Sequence, residues 1–91
     1  MARVVWTDEA ARQLELIHAY IEHFDQRAAQ RFAARLVTAS ESLAEFPDRG
    51  RSEGSDTRAL TIVPPYVVLY RRAGDDVVVV DIRHGRRKRK P

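Results

Sequence analysis

The ending DIRHGRRKRKP contains the densest group of side chains that could do chemistry. Five of its last six residues are basic, and they follow His84, an imidazole side chain that can donate or accept a hydrogen bond. Five clustered cations speed association with any polyanion, whether DNA, RNA or an acidic protein. No aromatic residue is interleaved with them and no groove-fitting element accompanies them, so sequence-specific DNA recognition by this segment is not expected.

Two other parts of the sequence contain polar side chains that could bind a metal or a ligand. His18 and Glu22 have helical i, i+4 spacing, but no third ligand is suggested, and the absence of cysteine excludes a thiolate zinc site. We therefore predict no metal and no cofactor. Arg58 lies near the start of a predicted strand, where it could contact a ligand or simply pair with a carboxylate such as Asp56 or Asp81.

The elements that would position these residues begin with a short strand at Arg3–Trp6. Thr7 and Asp25 are predicted N-caps of two helices, and the short link, formed by Asp25 with or without Gln26, predicts an antiparallel helical hairpin. Apolar residues recur at steps of three and four along both helices and predict one buried stripe on each. The stripes are Ala10, Leu14, Ile17, Ile21 and Phe24 in the first helix, and Ala29, Phe32, Leu36, Ala39 or Ser40, and Leu43 in the second, which ends at Phe46.

Three strands are predicted after the polar loop PDRGRSEGSD, over residues 57–63, 66–70 and 77–84, with AGDD as a hairpin turn. In the last strand Val78, Val80, Ile82 and His84 share one face, which we predict to pack on the helices and to leave His84 at the rim of the core. The order strand, helix, helix and three strands predicts an α+β domain with a mostly antiparallel sheet.

Length and charge bound the class of protein. With 91 residues the chain is predicted to form one domain over residues 1–87, followed by a basic flexible tail at 88–91. Residues 1–48 hold five arginines and eight acidic residues, a balance of −3, whereas residues 49–91 hold eleven basic and five acidic residues, a balance of +6. No signal peptide or membrane span is expected, and the lack of cysteine fits a reducing cytoplasm.

Several segments, in this order, resemble the RelE/ParE toxins of bacterial type II toxin–antitoxin modules, and the ParE branch most closely. They are VVWTDEAARQLELIHAYI, FPDRGR, TRALTIVPPYVVLYRR and VVVVDIRHGRR, which together span most of residues 3–87. The resemblance implies a β-α-α-β-β-β toxin of the bacterial cytoplasm, of a kind associated with plasmid stabilisation. It also implies a ParD-like antitoxin that forms a hetero-oligomer with the toxin and through which alone operator DNA would be contacted.

The resemblance implies DNA gyrase as the target for the ParE branch and ribosome-dependent cleavage of mRNA for the RelE branch. Metal-free cleavage of RNA requires a base, cations for the phosphorane and an acid. Val67 stands where nuclease relatives often carry arginine, and the only lysines are Lys88 and Lys90. A growth inhibitor that acts by binding is therefore favoured. A nuclease using Arg58, His84 and Arg87 is the first alternative, and a harmless antitoxin-binding relative is the second.

Two sets of contact residues follow from the resemblance. The predicted target-binding residues are Arg58, Arg83, His84, Arg86 and Arg87. The predicted antitoxin-binding residues are Leu14, Ile17, Ile21, Phe32, Leu36, Tyr66 and Tyr70.

Overall fold

The computed structural model describes residues 3–62 and 64–85 and has the predicted α+β architecture. Its elements are β1 (Arg3–Trp6), α1 (Asp8–Phe24), α2 (Gln26–Glu45), β2 (Arg51–Ser52), β3 (Thr57–Thr61), β4 (Tyr66–Ala73) and β5 (Asp76–His84). The described strands form a single five-stranded sheet in the order β1-β5-β4-β3-β2. Only the β1–β5 pair is parallel, so the predicted mostly antiparallel sheet is confirmed, with β2 as an additional short edge strand.

Local capping explains where the helices begin. The Thr7 hydroxyl accepts a hydrogen bond from the Ala10 N–H at 3.1 Å, and the Asp25 carboxylate accepts one from the Ala28 N–H at 3.0 Å. Asp25 ends α1 and caps α2, so one residue makes the whole connection. Both helices pack on the same part of the sheet, against β1 and β5.

The core lies between the helical hairpin and one face of the sheet. It contains Ala10, Phe32, Leu36, Leu43, Val68, Tyr70, Val77, Val79 and Ile82. The predicted stripe of α2 is confirmed, with Ser40 rather than Ala39 as its buried member. The prediction for Phe24 is wrong, because this side chain is 70 % exposed. Residue spacing gives the direction of a side chain but not whether other elements extend far enough to cover the last turn of a helix.

The predicted alternation in β5 is half wrong, and a β-bulge is the reason. Leu69 of β4 pairs with Asp81, but its neighbour Tyr70 pairs with Val79, so Val80 is the extra residue. The bulge reverses the alternation within the strand. Val77 and Val79 are buried in the core, whereas the predicted core residues Val78 and Val80 are only partly buried. Beyond the bulge Ile82 faces the core, as predicted.

On the side of β5 away from β4, the end of the strand is held by α1 rather than by β1. The pairing of β1 with β5 stops at Trp6 and Val79, beyond which the Ile82 N–H has no β1 residue opposite it. The Gln13 side-chain oxygen accepts this hydrogen bond at 2.9 Å. The polar group is thereby satisfied, and the segment that leads to His84 is fixed to the helical layer.

Candidate functional site

Arg58 stabilises the loop between α2 and β2. Its guanidinium donates to the Asp48 carbonyl at 3.2 Å and to the Gly50 carbonyl at 2.7 Å, and its Nε lies 3.6 Å from the Asp48 carboxylate. Arg72 approaches the same carboxylate at 4.0 Å. Asp48 is thus the carboxylate partner, instead of the Asp56 or Asp81 considered from the sequence. Both hydrogen bonds come from Nη1, and they place Arg58 to shape the loop.

Tyr70 anchors the same loop from inside the core. Its hydroxyl donates to the Pro47 carbonyl at 2.8 Å and accepts from the Gly50 N–H at 2.8 Å. Gly50 is required at this approach, since a Cβ there would lie 2.6 Å from the Tyr70 hydroxyl oxygen. The predicted antitoxin contact at Tyr70 therefore falls on a fully buried side chain, which a partner cannot reach in this conformation.

His84 lies at the rim of the core, beside the helical hairpin. Tyr66 is directly opposite it on β4, and the two rings pack edge to face with centroids 5.5 Å apart. Leu16, Ile17 and Tyr20 of α1 complete an open hollow of 470 Å³ around this pair. His84 is partly buried. Its surroundings therefore fit a residue that packs at the rim of the core as well as one that contacts a partner.

The other predicted target-binding residues are not grouped with His84. Arg83 lies next to the core residue Ile82 in β5, so it projects from the opposite face of the sheet, where it pairs with Asp81 at 3.2 Å. Arg58 on β3 is paired with Tyr70 on β4, and Tyr70 lies four residues along β4 from the position opposite His84. Strand geometry therefore separates the Cα atoms of Arg58 and His84 by about 16 Å. Arg86, Arg87 and the predicted tail at 88–91 lie outside the described residues.

A groove lies between the two helices and the edge strand β1, and we call it the hairpin groove. It has a volume of 830 Å³ and a mainly apolar surface. Its lining consists of Val4 and Trp6 from β1, Ala11, Leu14, Glu15 and His18 from α1, and Ala33, Leu36, Val37, Ser40, Glu41 and Ala44 from α2. A surface of this kind is suited to an apolar partner segment rather than to catalysis.

The predicted antitoxin-binding residues divide by burial. Phe32 and Tyr70 belong to the closed core, and Leu36 is only 2 % exposed in the floor of the groove. Three of the seven are therefore buried in this conformation. Leu14, Ile17, Ile21 and Tyr66 are partly exposed and pack against the core from its margin. Whether an antitoxin contacts them stays a prediction.

The sequence pattern partly indicated the exposed apolar residues that were not among the predicted contact residues. Val37 is 57 % exposed and lies beside the buried stripe of α2, one residue from Leu36. Leu16, Tyr20 and Phe24 recur at i, i+4 and i+8 along α1 and are all well exposed, Tyr20 and Phe24 with their rings 5.2 Å apart. A second apolar stripe on a helix already supplied with a core stripe is the pattern that would have indicated them.

No cluster of three or more histidine or acidic side chains capable of holding a metal occurs within residues 3–62 and 64–85. In the same ranges no helix is both long and apolar enough to cross a membrane.

The chain belongs to a family of small bacterial toxins. The family model for the ParE toxin of the type II toxin–antitoxin system parDE matches residues 4–89. Toxin RelE2 of Caulobacter vibrioides is 51 % identical over 87 residues, which cover 96 % of this chain and 99 % of that protein. The putative toxin Y4kP of Sinorhizobium fredii is 42 % identical over 84 residues, covering 90 % of this chain and 86 % of the relative. This chain is therefore a member of the ParE toxin family of type II toxin–antitoxin systems.

Solved structures agree on the fold. A chain from the chromosomal ParDE toxin–antitoxin system of P. aeruginosa superposes with a TM-score of 0.78 at 24 % identity, covering 92 % of this chain and 96 % of that one. A YoeB/ParE toxin from Agrobacterium tumefaciens gives a TM-score of 0.60 at 15 % identity, covering 90 % and 96 %. The resemblance read from the sequence is confirmed for both family and fold.

Proposed function

We propose that this chain inhibits bacterial growth by binding a target protein, DNA gyrase, and that a cognate antitoxin neutralises it by occupying the hairpin groove. The observation that carries the binding mechanism is the placement of the Arg58 guanidinium, whose Nη1 donates to the Asp48 and Gly50 carbonyls of the loop. The Cα atoms of Arg58 and His84 are about 16 Å apart by strand geometry. A nuclease that used both side chains would need the guanidinium to leave this loop, because groups that act on one phosphodiester must lie within a few ångströms of its reacting oxygens.

The hairpin groove supports the proposed antitoxin site. Its apolar lining comes from both helices and from β1, whose outer edge has no strand partner among the described residues. A helical segment of the antitoxin would bury the groove, and an extended continuation would reach the open edge of β1. Because a ligand specific for the native state stabilises it, the complex should melt at a higher temperature than the free toxin.

Ribosome-dependent cleavage of mRNA is the second candidate, and one observation favours it. Two relatives, at 51 % and 39 % identity, carry the name RelE, which is also the name of the nuclease branch. A third candidate, a non-toxic member that only binds an antitoxin, differs from the first in its effect on growth. The chain would act in the bacterial cytoplasm under all three.

The deciding experiment compares two reactions with one preparation of purified protein. We expect it to inhibit supercoiling of relaxed plasmid by gyrase and to leave mRNA intact on programmed ribosomes. The antitoxin should reverse the inhibition, and a Val37→Arg variant of the toxin should be equally inhibitory but resist neutralisation. Cuts in mRNA that are lost in His84→Ala would establish the nuclease instead. Normal growth after induction, with no effect in either reaction, would leave the antitoxin-binding role.

A further inference from the structure

Three arginines form a straight row along α2. Arg27, Arg31 and Arg35 recur at steps of four residues, so they lie on one face of the helix about 6 Å apart along its axis. All three are exposed. Their guanidinium groups form no ion pair and no hydrogen bond with any residue in the ranges 3–62 and 64–85. We call these three residues the arginine row.

The two helices of the hairpin carry opposite charge. α1 contains four acidic residues and one arginine, a balance of −3. α2 contains three arginines and two glutamates, a balance of +1, and both glutamates, Glu41 and Glu45, lie in its last five residues. The first fifteen residues of α2 are therefore basic without any acidic side chain among them.

The position of the row lowers the stability of α2 in the free protein. A cation in the first turn of a helix opposes the positive end of the dipole, and Arg27 is the second residue of α2. Like charges four residues apart also repel each other. α1 shows the usual arrangement, with Asp8 and Glu9 in its first turn. An anion bound along the row would offset both penalties, so the row suits a bound state better than the free protein.

Arg49 extends the positive surface beyond the end of the row. Its Nη1 donates to the Ser42 hydroxyl at 2.7 Å, which holds the guanidinium against α2. Arg35 and Arg49 line a hollow of 390 Å³ between α2 and β3, together with Thr38, Ser42 and Thr61. No acidic residue lines this hollow, and none of its residues lines the hairpin groove. Arginines and hydroxyls are groups that contact phosphate oxygens in protein–DNA complexes.

We propose that the arginine row and Arg49 bind the phosphate backbone of duplex DNA without regard to its sequence. A fixed row of guanidinium groups matches the regular line of phosphates on a stiff duplex, and each guanidinium can donate two hydrogen bonds to one phosphate. Contacts to phosphates alone carry no sequence information. The choice of DNA rests on the proposed function, because gyrase acts on duplex DNA.

The test measures binding of the purified toxin to a short fluorescent DNA duplex of mixed sequence over a range of salt concentrations. A triple variant, Arg27→Gln with Arg31→Gln and Arg35→Gln, should reduce the slope of log K against log salt by about 2–3, because each lost phosphate contact reduces it by about 0.9. Affinity should fall on the order of a hundredfold at 0.1 M salt and change little at 1 M. The basic ending is present in every variant, so its contribution to the slope is the same throughout.

A second triple variant controls for net charge. Arg3, Arg12 and Arg51 are exposed arginines in other parts of the fold, and each pairs with a carboxylate, at 3.0, 2.7 and 2.8 Å respectively. Arg3→Gln with Arg12→Gln and Arg51→Gln removes the same charge as the row variant. Because these side chains are not aligned on one surface, the slope should change by less than about 1.

Arg27→Gln alone tests whether the row is unfavourable in the free protein. It should raise the melting temperature of the free toxin by about 1–4 °C, because it removes a cation from the first turn of α2. The same variant should reduce the salt slope of DNA binding by about 1. A melting temperature no higher than that of the natural chain would show that the row costs the helix nothing, and the inference would lose its ground.

The remaining outcomes separate this inference from the proposed function. If the row variant and its control bind DNA alike, the inference fails whatever the gyrase reaction shows. Much tighter row-dependent binding of an RNA duplex of the same sequence would overturn the choice of DNA. If polyglutamate competes as well as unlabelled DNA of equal charge, the row attracts any polyanion and the inference is again wrong. DNA binding that follows the row in a protein that leaves gyrase active would uphold the inference and contradict the proposed function.

Discussion

Tyr70 shows how one side chain serves both the core and the loop of a small protein. Its ring is buried between the helices and the sheet, while its hydroxyl satisfies one donor and one acceptor of residues 47–50. Arg58 holds the same loop from the outer side through two further carbonyls. In a domain with so few buried residues, a polar anchor of this kind replaces apolar contacts that the loop itself lacks.

Removing this anchor should be costly. Tyr70→Phe deletes the hydroxyl but keeps the ring, so the Gly50 N–H and the Pro47 carbonyl lose their partner in a buried setting. We expect the free energy of unfolding to fall by about 1–3 kcal/mol, measured by urea denaturation. Tyr20→Phe, which alters an exposed tyrosine, is the control and should stay within about 0.5 kcal/mol. Equal values for the two variants would show that the loop does not depend on Tyr70.

Single residues were predictable from the sequence where their partner is close along the chain. Thr7 and Asp25 were identified as caps because a cap bonds to the N–H three residues later. The partner of Arg58 was not identified, since Asp48 is ten residues away and reaches it only through the path of the loop. The contact of Tyr70 with residues 47–50 was missed for the same reason. The resemblance suggested a contact, and only the tertiary structure shows the loop covering it.

The strands and helices were predicted well where the pattern of polar and apolar residues shows which face of the element is buried. β1 and the starts of both helices agree with the predictions, and β2 was missed because its two residues lie in a polar, glycine-containing stretch. The run of four valines at 77–80 is different, because equal residues on both faces do not indicate which face is buried. The pairing of Tyr70 with Val79 sets that choice, and the bulge at Val80 follows from it.

The bulge predicts a difference between two adjacent valines. Val79→Thr puts a hydroxyl into the core without a partner, so the free energy of unfolding should fall by about 1–3 kcal/mol. Val78→Thr makes the same chemical change on the other face, against the partly exposed Val5, and should cost under about 1 kcal/mol. Thermal and urea unfolding of the two variants would measure this. If Val78→Thr lowered the free energy of unfolding more than Val79→Thr, Val78 would face the core and the alternation predicted without a bulge would be right.

At the scale of the whole molecule, charge is divided between two regions. β1, the helical hairpin and the groove belong to the half with a balance of −3, and β2 to β5 and the basic ending belong to the half with +6. The antitoxin helix proposed for the groove would meet the first region. The target, or an acidic segment of the antitoxin, would meet the second.

The positive region predicts two kinds of salt dependence. Deleting residues 88–91 should mainly slow association with the target, and the loss should shrink at 1 M salt, where the Debye length is about 3 Å. Arg83→Ala removes a side chain expected in direct contact, so it should raise the dissociation rate and the effect should persist in salt. Surface-bound target at two salt concentrations gives both rates. Retained binding in Arg83→Ala together with complete loss on truncation would make the tail the recognition element.

The Tyr70 anchor also has a consequence for which parts of the chain open together. Amide hydrogens in connecting loops normally exchange with solvent in brief local openings. The Gly50 amide is buried and bonded to a phenol that is itself in the core, so it can be released only when Tyr70 leaves its site. In deuterium exchange Gly50 should therefore retain its proton as long as the amides of β4 do. The slowest-exchanging unit of this protein then includes a residue of the loop as well as the central strands.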